Sequence, residues 1–505
     1  MRWSCLAILC GLAGCAVGPD YSAPSIALPT MFVSPLAAAV ARSPSVARLD
    51  LTQWWRSLRD RELDSLEARA LAANFDLEIA LTRIQAARAQ LTVIAQQALP
   101  EVEGTAGGGA GTGTDLTKGR VAQPLRAGDI GTGLKAINRA AGVDADWELD
   151  LFGKVRREIE AQTADAEALR DARDWIFVTV AADVARAYLD MRAEQRLAAV
   201  LRENIDAARR NLDLARTRFD QGLTNELDVS LAQRELATLQ ADLPPLVAQI
   251  DVSRHAIAVL IGEYPENLAR ELARVEPIPA LPTRIPVGLP VDLLRRRPDI
   301  REAERLLAAA NARIGAAIAD LYPTVFVTGG GGAQGGVPGP GVTPVTWIGS
   351  VGPGITVPIL DFGALDAQIE VADLATRGAL AAYKQRIVVA VEQVDDAEAS
   401  YLGQQERLAD LDRALQAARE STRLATERYD RGLTDFLNVI DAERAQFDIE
   451  QRHVAARQAA AENLVALCKA LGGGWPPNET IPPLAAPQPA IVAAFRRLSA
   501  PDQAH

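Results

Sequence analysis

The chain has 505 residues, of which 49% are hydrophobic and 23% are charged, so it is a folding sequence and not a disordered one. Its formal net charge of −12 argues against nucleic acid as a partner, because phosphate binding requires an excess of Lys and Arg. Aromatic residues make up only 5%, whereas Ala-rich stretches with Leu, Arg, Glu and Gln dominate, and this usage favours long helices.

Residues 1–14 have the pattern of a short signal peptide, with one basic residue before an apolar run. The run ends at Leu12-Ala13-Gly14-Cys15, which is similar to the lipobox of bacterial lipoproteins. That similarity implies that the thiol of Cys15 is acylated and that the residue becomes the mature N-terminus. Ala16 follows, where an aspartate would resemble an inner-membrane retention signal, so we expect the outer membrane. The alternative is an ordinary signal peptide with an incidental cysteine.

Two copies of one pattern follow each other along the chain. Arg218-Phe219-Asp220-Gln221-Gly222-Leu223-Thr224 returns as Arg428-Tyr429-Asp430-Arg431-Gly432-Leu433-Thr434, an offset of 210 residues. Upstream the offset is 223, because the first copy has about thirteen extra residues in a loop. We therefore predict a signal peptide at 1–14, a lipidated segment at 15–60, a first repeat at 61–262, a linker at 263–298, a second repeat at 299–475 and a disordered Pro- and Ala-rich tail at 476–505.

Each copy has the same predicted order of elements. These are a helical stretch (61–97; 299–320), a Gly-rich stretch of strands (99–150; 322–360), a very long helix (153–219; 363–429), a turn, and a return helix (225–262; 435–472). The long helix would span roughly 100 Å, and apolar residues recur along it at alternate steps of four and three, which predicts coiled-coil packing. Pro244-Pro245 should kink or interrupt the first return helix. We find no uncharged apolar run of about 18 residues after residue 15, so we expect no transmembrane helix.

Four strands are predicted, around 99–112, 131–151, 322–335 and 344–360. From Val143 to Leu151 apolar residues alternate with the acids Asp144, Asp146, Glu148 and Asp150. An apolar face against four acids fits lipid on one side and a water-filled lumen on the other; a soluble amphipathic strand is the alternative. Four strands cannot close a barrel, so we expect several subunits to share one, and the pattern leaves their number open.

Three stretches carry a resemblance to a known family. They are Cys15-Ala16-Val17-Gly18-Pro19-Asp20-Tyr21, Trp147-Glu148-Leu149-Asp150-Leu151-Phe152-Gly153 and Asp292-Leu293-Leu294-Arg295-Arg296-Arg297-Pro298-Asp299-Ile300. With the double repeat, they resemble the outer-membrane factors of tripartite efflux pumps, the TolC-like and especially the OprM/NodT-type lipoproteins. The resemblance covers the chain from Cys15 to about Trp475.

The resemblance implies a mixed α and β membrane protein. A homotrimer would form a 12-stranded β-barrel, with four strands per chain, that continues into a 12-helix α-barrel across the periplasm. It also implies two protein partners, a periplasmic adaptor (membrane fusion) protein and an inner-membrane transporter of RND type, and contact with outer-membrane lipid.

The resemblance assigns adaptor contact to the turns between long and return helices. These turns match Gly222-Leu223-Thr224 and Gly432-Leu433-Thr434. Glycine permits the sharp reversal and an exposed leucine offers an apolar contact. A plain helix C-cap is the alternative role of these glycines, and the two roles are compatible.

The resemblance also implies a periplasmic gate, to which we assign Asp441, Asn438, Tyr429 and Asp228. Asp441 matches one of the family's acids, and Tyr429 matches a tyrosine that helps to hold the mouth shut. The sequence departs from TolC twice, since Asn438 replaces an aspartate and Thr434 replaces an arginine. Three copies of Asp441 near one axis would repel each other, so bound cations are expected. A solvated surface acid is the alternative.

The sequence contains no recognisable set of catalytic residues. His255, His453 and His505 have no partner at the spacing of metal ligands, and we expect no cofactor, no metal and no catalytic residue. We expect passive efflux of small molecules through the outer membrane. The alternatives are an outlet for type I protein secretion and, from a different class, a lipid-anchored periplasmic coiled-coil scaffold.

Overall fold

The computed structural model describes residues 16–29, 51–111, 136–282, 290–338 and 345–475. The predicted signal peptide, Cys15 and the tail at 476–505 lie outside these ranges.

The first copy consists of two helices, two strands and a helical hairpin, preceded by a 3-10 helix at Leu51–Leu58. Its elements are α1 (Arg61–Ala73), α2 (Phe75–Gln96), β1 (Glu101–Gly111), β2 (Ala136–Leu149), α3 (Lys154–Asp220) and α4 (Glu226–Leu260). Asp60 and Asn74 cap α1 and α2 by accepting hydrogen bonds from main-chain N–H groups of the first turn.

The second copy follows a linker and repeats this order with one helix before its strands. The linker contains α5 (Pro265–Leu268), a 3-10 helix (Glu271–Ala273) and α6 (Pro290–Arg296). The second copy contains α7 (Pro298–Ala319), β3 (Thr324–Pro338), β4 (Thr346–Thr356), α8 (Ala364–Asp430) and α9 (Phe436–Ala470). The long helices have 67 residues each and the return helices 35 each, so both hairpins begin and end at the predicted offset. None of the helices in the described ranges has an apolar stretch long enough to cross a membrane.

The strands form one antiparallel sheet in the order β1-β2-β3-β4, so β1 and β4 lie at its edges. The register pairs Glu101 with Asp146 between β1 and β2, and Asp144 with Gly330 between β2 and β3. All four predicted strands are present, and β3 ends at Pro338, three residues beyond its predicted end at 335. Residues 131–135 of the strand predicted at 131–151 lie outside the described ranges, and its described part ends at Leu149.

The predicted seam of α3 is the main line of burial. Its positions are buried from Val180 to Ala215, except that Ala187 and Glu194 are partly exposed. Ser253 of α4 donates a hydrogen bond of 2.7 Å to Glu194, so the acid that breaks the seam has a partner there. A kink or an interruption was predicted at Pro244-Pro245, and the interruption is wrong, because α4 is one continuous helix through both prolines. Both prolines are exposed, so water can reach the carbonyl groups that they leave without a donor.

The stretch from Asp292 to Ile300 contains a buried ion pair whose arginine contacts both copies. The guanidinium of Arg297 meets the carboxylate of Asp299 with two hydrogen bonds of 3.0 and 2.8 Å, and both side chains are about fully buried. Arg297 also donates to the main-chain oxygen of Ala470 at 3.1 Å and lies over the ring of Trp175. One side chain therefore connects α7 with α3 and α9.

Candidate functional site

The two helical turns at the tips of the hairpins are nearly identical. Gly222 and Gly432 have φ angles of 71° and 72°, which residues with a side chain rarely adopt. In each turn the glycine and the following leucine donate main-chain hydrogen bonds back to the last turn of the long helix. This is the Schellman arrangement, so the C-cap role of the glycines is confirmed.

The tips expose apolar side chains at the turns predicted for adaptor contact. Leu223 is 65% exposed and Leu433 is 62% exposed. Each following threonine bonds to the side chain four residues later: Thr224 donates to Asp228, and Asn438 donates to Thr434 at 2.9 Å. Hydrogen bonds within each tip therefore stabilise the turn, and the leucine side chains stay exposed.

Tyr429 joins the two hairpins at the same end of the molecule. It is 4% exposed and its ring lies 5.2 Å from that of Phe436. Arg218 of α3 lies over the Tyr429 ring and donates a hydrogen bond to its main-chain oxygen. Burial raises the pKa of Tyr429, opposed by the positive charge of Arg218, and the nearby Asp228 raises it further. Arg218 was not predicted as part of this site, because no feature of the sequence indicates which residue of the first copy faces Tyr429.

The four predicted gate residues lie at or near this end of the hairpins. Tyr429 is in the last turn of α8, and Asp228 and Asn438 are in the first turns of α4 and α9. Asp441 is exposed on α9 near Arg444, whose pKa is raised mainly by its hydrogen bond to Glu235 and further by the charge of Asp441. Arg444 donates to Glu235 of α4, so charged residues continue from the tip along the faces of both return helices.

The sheet has one acidic and one apolar face. Asp144, Asp146 and Glu148 alternate along β2 as predicted. Their neighbours on β1 extend the acidic face, because Glu103 pairs with Asp144 and Glu101 with Asp146. Like charges directly opposite each other destabilise a sheet unless water solvates them. The Glu-Val-Glu alternation at 101–103 is the signal by which the two β1 acids could have been predicted.

The opposite face exposes apolar side chains on β1, β2 and β4. Val102 is 63% exposed, Val351 is 81% exposed and Ile355 is 66% exposed. Trp147 lies on the same face of β2 as Val143, and its indole N–H donates to the main-chain oxygen of Ala98 at 3.0 Å. A sheet with these two faces suits a boundary between an apolar medium and water.

Asp150 is an exception among the predicted lumen-facing acids. The strand ends at Leu149, and the Asp150 carboxylate accepts hydrogen bonds from the main-chain N–H groups of Val155 and Arg156 at 3.3 and 3.1 Å. It also forms an ion pair with the Arg156 side chain. Its carboxylate stabilises the start of α3 instead of continuing the acidic face, because an acid is favoured where the first turn of a helix leaves N–H groups without partners.

No group of three or more His, Cys, Asp or Glu side chains in the described ranges is arranged to hold a metal ion. Cys15, the predicted lipidation site, lies outside those ranges, and the first described residue is Ala16.

Comparisons with known proteins cover nearly the whole chain. The family described as "Outer membrane efflux protein" matches residues 66–263 and 289–473. Nodulation protein T of Rhizobium leguminosarum bv. trifolii is 30% identical over 92% of this chain and 96% of its own length. The antibiotic efflux pump outer membrane protein ArpC of Pseudomonas putida is 31% identical over 92% of this chain and 93% of its own. The solved structure of the outer-membrane channel OprN is 34% identical, with a TM-score of 0.78 over 91% of this chain and 100% of that channel.

Proposed function

Since this chain belongs to the outer membrane efflux protein family, we propose that three copies of it form one duct from the periplasm through the outer membrane. The chain is an outer-membrane efflux channel. The observation that carries the proposal of a shared duct is the open sheet, whose β1 and β4 are edge strands. Lipid cannot satisfy the main-chain groups of an edge strand, so β4 of one protomer pairs with β1 of the next. Three chains supply twelve strands, an even number within the range of closed outer-membrane barrels.

The acidic face of the sheet lines the lumen in this proposal. Five carboxylates per chain then face the water-filled interior, and the apolar face meets lipid. Rings of acids favour cations over anions in a pore. The duct is passive and passes small molecules, with an inner-membrane transporter of RND type supplying the energy. The name of the relative from Pseudomonas putida, an antibiotic efflux pump protein, supports this substrate class.

The hairpin tips are the periplasmic end of the duct. We assign adaptor contact to the exposed Leu223 and Leu433 with their flanking Gly and Thr residues, since apolar side chains at a tip favour association with another protein. Tyr429, Asp228, Asn438 and Asp441 form the gate at the same end. Thr434 stands where TolC has an arginine. In this chain we assign the contact between the hairpins to Arg218 instead.

Acylation of Cys15 attaches the channel to the inner face of the outer membrane in this proposal. Several acyl chains anchor a protein far more firmly than one. Cys15→Ser should abolish incorporation of labelled palmitate into the chain, whereas Cys468→Ser should not, because Cys468 is fully buried. Equal labelling of Cys15→Ser and the unchanged protein would contradict acylation at this residue.

The proposed duct is tested by the conductance of single channels in planar bilayers, measured together with the native mass of the purified protein. We expect a trimer that passes small currents with a preference for cations. A trimer without current would be retested as Arg218→Ala, which opens the gate in this proposal. A monomer that does not insert, or a variant trimer that stays silent, would contradict the duct and favour the anchored scaffold.

A further inference from the structure

The residues that follow Cys15 are fixed to the start of α3. Residues 16–21, named here the strap, begin with Ala16 beside Gly153 and a hydrogen bond of 3.1 Å from Val17 N–H to the main-chain oxygen of Phe152. Their main contact is Arg157, whose side chain is only 5% exposed. The strap is therefore held by a buried cation rather than by surface contacts.

Arg157 uses its donors almost entirely on the strap. Its Nε donates to the main-chain oxygen of Val17 at 3.1 Å, and its Nη2 donates to that of Gly18 at 3.2 Å and to the Asp20 carboxylate at 2.8 Å. Its Nη1 donates to Glu160, one turn along the same helix, at 2.8 Å. Hydrogen bonds from a charged donor are the stronger kind, and main-chain oxygens accept them whatever the side chain.

The strap also touches the second copy. A Cβ atom at Gly315 of α7 would lie 2.8 Å from Arg157 Nε and 2.9 Å from the Val17 oxygen, so only glycine leaves room for the strap. Asn311 of α7 donates to the main-chain oxygen of Pro19 at 3.0 Å, and the Tyr21 hydroxyl donates to Glu304 at 3.3 Å. Burial, with the nearby Glu304 charge, raises the pKa of Tyr21 to about 12, so the hydroxyl keeps its proton.

The internal repeat provides a comparison within the molecule. At the offset of 210, Arg157 corresponds to Ala367 and Gly153 to Gly363. A Cβ at Gly153 would lie 2.7 Å from Ala16, whereas a Cβ at Gly363 would meet no atom within 4 Å. Within the described ranges, α8 begins in the same way as α3 without an arginine in its first turn or a segment docked beside it, so the long helix does not require Arg157. The presence of an arginine at position 157 is therefore explained by its bonds to the strap.

We propose that Arg157 and Gly315 form a socket for the strap and that the socket sets the position of the lipid anchor. The proposal rests on the proposed acylation of Cys15. Cys15 precedes Ala16 by one residue, a Cα separation of about 3.8 Å, so its acyl chains leave the protein where the sheet meets α3. Ile359, Leu360 and Phe362 are highly exposed at the corresponding junction of the second copy. The socket thus brings the acyl chains and an apolar rim to one level of the membrane, and Arg157 is a positioning residue for the anchor.

Hydrogen exchange measured by mass spectrometry on the full-length acylated protein in detergent tests the socket. In the unchanged protein, peptides covering residues 16–22 should exchange slowly at Val17, whose N–H donates to the Phe152 oxygen. Arg157→Ala removes three hydrogen bonds to the strap, so exchange there should be faster by roughly tenfold to a hundredfold. Gly315→Val, which keeps the arginine in the sequence but fills the space beside its Nε and the Val17 oxygen, should have the same effect. Peptides from the rest of α3 should be unchanged in both variants.

Arg156→Ala is the matched control. Arg156 is the next residue of the same helix, but its side chain pairs with Asp150 and not with the strap. Slow exchange of residues 16–22 in Arg156→Ala, with fast exchange in both socket variants, would support the proposal. Equal exchange in the unchanged protein and both socket variants would overturn it. Labelled palmitate, measured on the same samples, tests acylation separately, since a protected strap without palmitate would refute the anchor but leave the docking of the strap intact.

Discussion

The guanidinium carbon of Arg218 lies 4.3 Å from the centre of the Tyr429 ring, and Arg218 Nη1 donates a hydrogen bond of 2.7 Å to the Tyr429 main-chain oxygen. Arg218 belongs to the last turn of α3 and Tyr429 to the last turn of α8, so the pair connects the tips of the two hairpins. A cation at the C-terminal end of a helix, over an aromatic ring, is favourable for two independent reasons.

Arg218→Ala should loosen the tips and raise the conductance of the reconstituted channel. The change removes a cation–π contact and a charged hydrogen bond, together worth about 1–3 kcal/mol. Single-channel recording in planar bilayers measures the effect. Arg428→Ala is the matched control, because Arg428 is the counterpart of Arg218 in the second copy and its side chain is exposed. Equal conductance of Arg218→Ala and Arg428→Ala would contradict a clamp at Tyr429.

Asp441→Ala should either raise the conductance or lower the preference for cations. Asp441 is exposed on α9 near the tip, so three copies would place three negative charges around the mouth of the proposed duct. Reversal potentials in a salt gradient report the preference directly. Asp410→Ala removes the same charge from an exposed position of α8 about 30 Å before its end. Currents that do not differ between these two variants would remove Asp441 from the gate.

The internal repeat allowed the positions of the helices to be predicted from the sequence, but the contacts between the two copies could not be predicted. A periodic seam and an exact offset predict where α3 and α8 lie, because both are local properties of the chain. The contacts of Arg218 and Arg297 were not predicted. Each of these side chains binds a main-chain oxygen and an aromatic ring that are distant in sequence. Asp150 was assigned to the strand because alternation does not show where pairing stops and a helix begins. The uninterrupted α4 shows that exposed prolines can be accommodated in a helix that packs along its other face.

The stability of the protein should fall as pH rises through about 7, in part because of Glu462. Burial, and a hydrogen bond to Asp190, raise the pKa of Glu462 from 4.5 to about 7. An acid with a raised pKa binds its proton more tightly in the folded state, so its contribution is full below the unfolded pKa and is lost as pH rises through the folded one. Thermal unfolding should therefore have a higher midpoint at pH 5.5 than at pH 8.

Glu462→Gln should flatten this dependence on pH, because glutamine resembles the protonated acid at every pH. Asp171, whose pKa burial raises to about 7, changes stability in the same direction, so the slope should decrease and not vanish. Glu420→Gln is the control, since Glu420 is exposed and its pKa is lowered by Arg423. The assignment of the slope to Glu462 fails if both variants retain the slope of the unchanged protein.

Asp299→Ala should destabilise the fold more than removal of both members of the Arg297–Asp299 pair. The single change leaves the Arg297 charge buried without its carboxylate, which costs roughly 3–5 kcal/mol, whereas exchange of both residues for apolar ones of similar size costs far less. The midpoint of thermal unfolding of Asp299→Ala should therefore lie below that of the double variant Arg297→Met with Asp299→Leu. Arg297 also bonds to Ala470 and Gln393, so the double variant should lie below the unchanged protein. A double variant less stable than Asp299→Ala would mean that the bonds of Arg297 to Ala470 and Gln393, and not the ion pair, are its main contribution to stability.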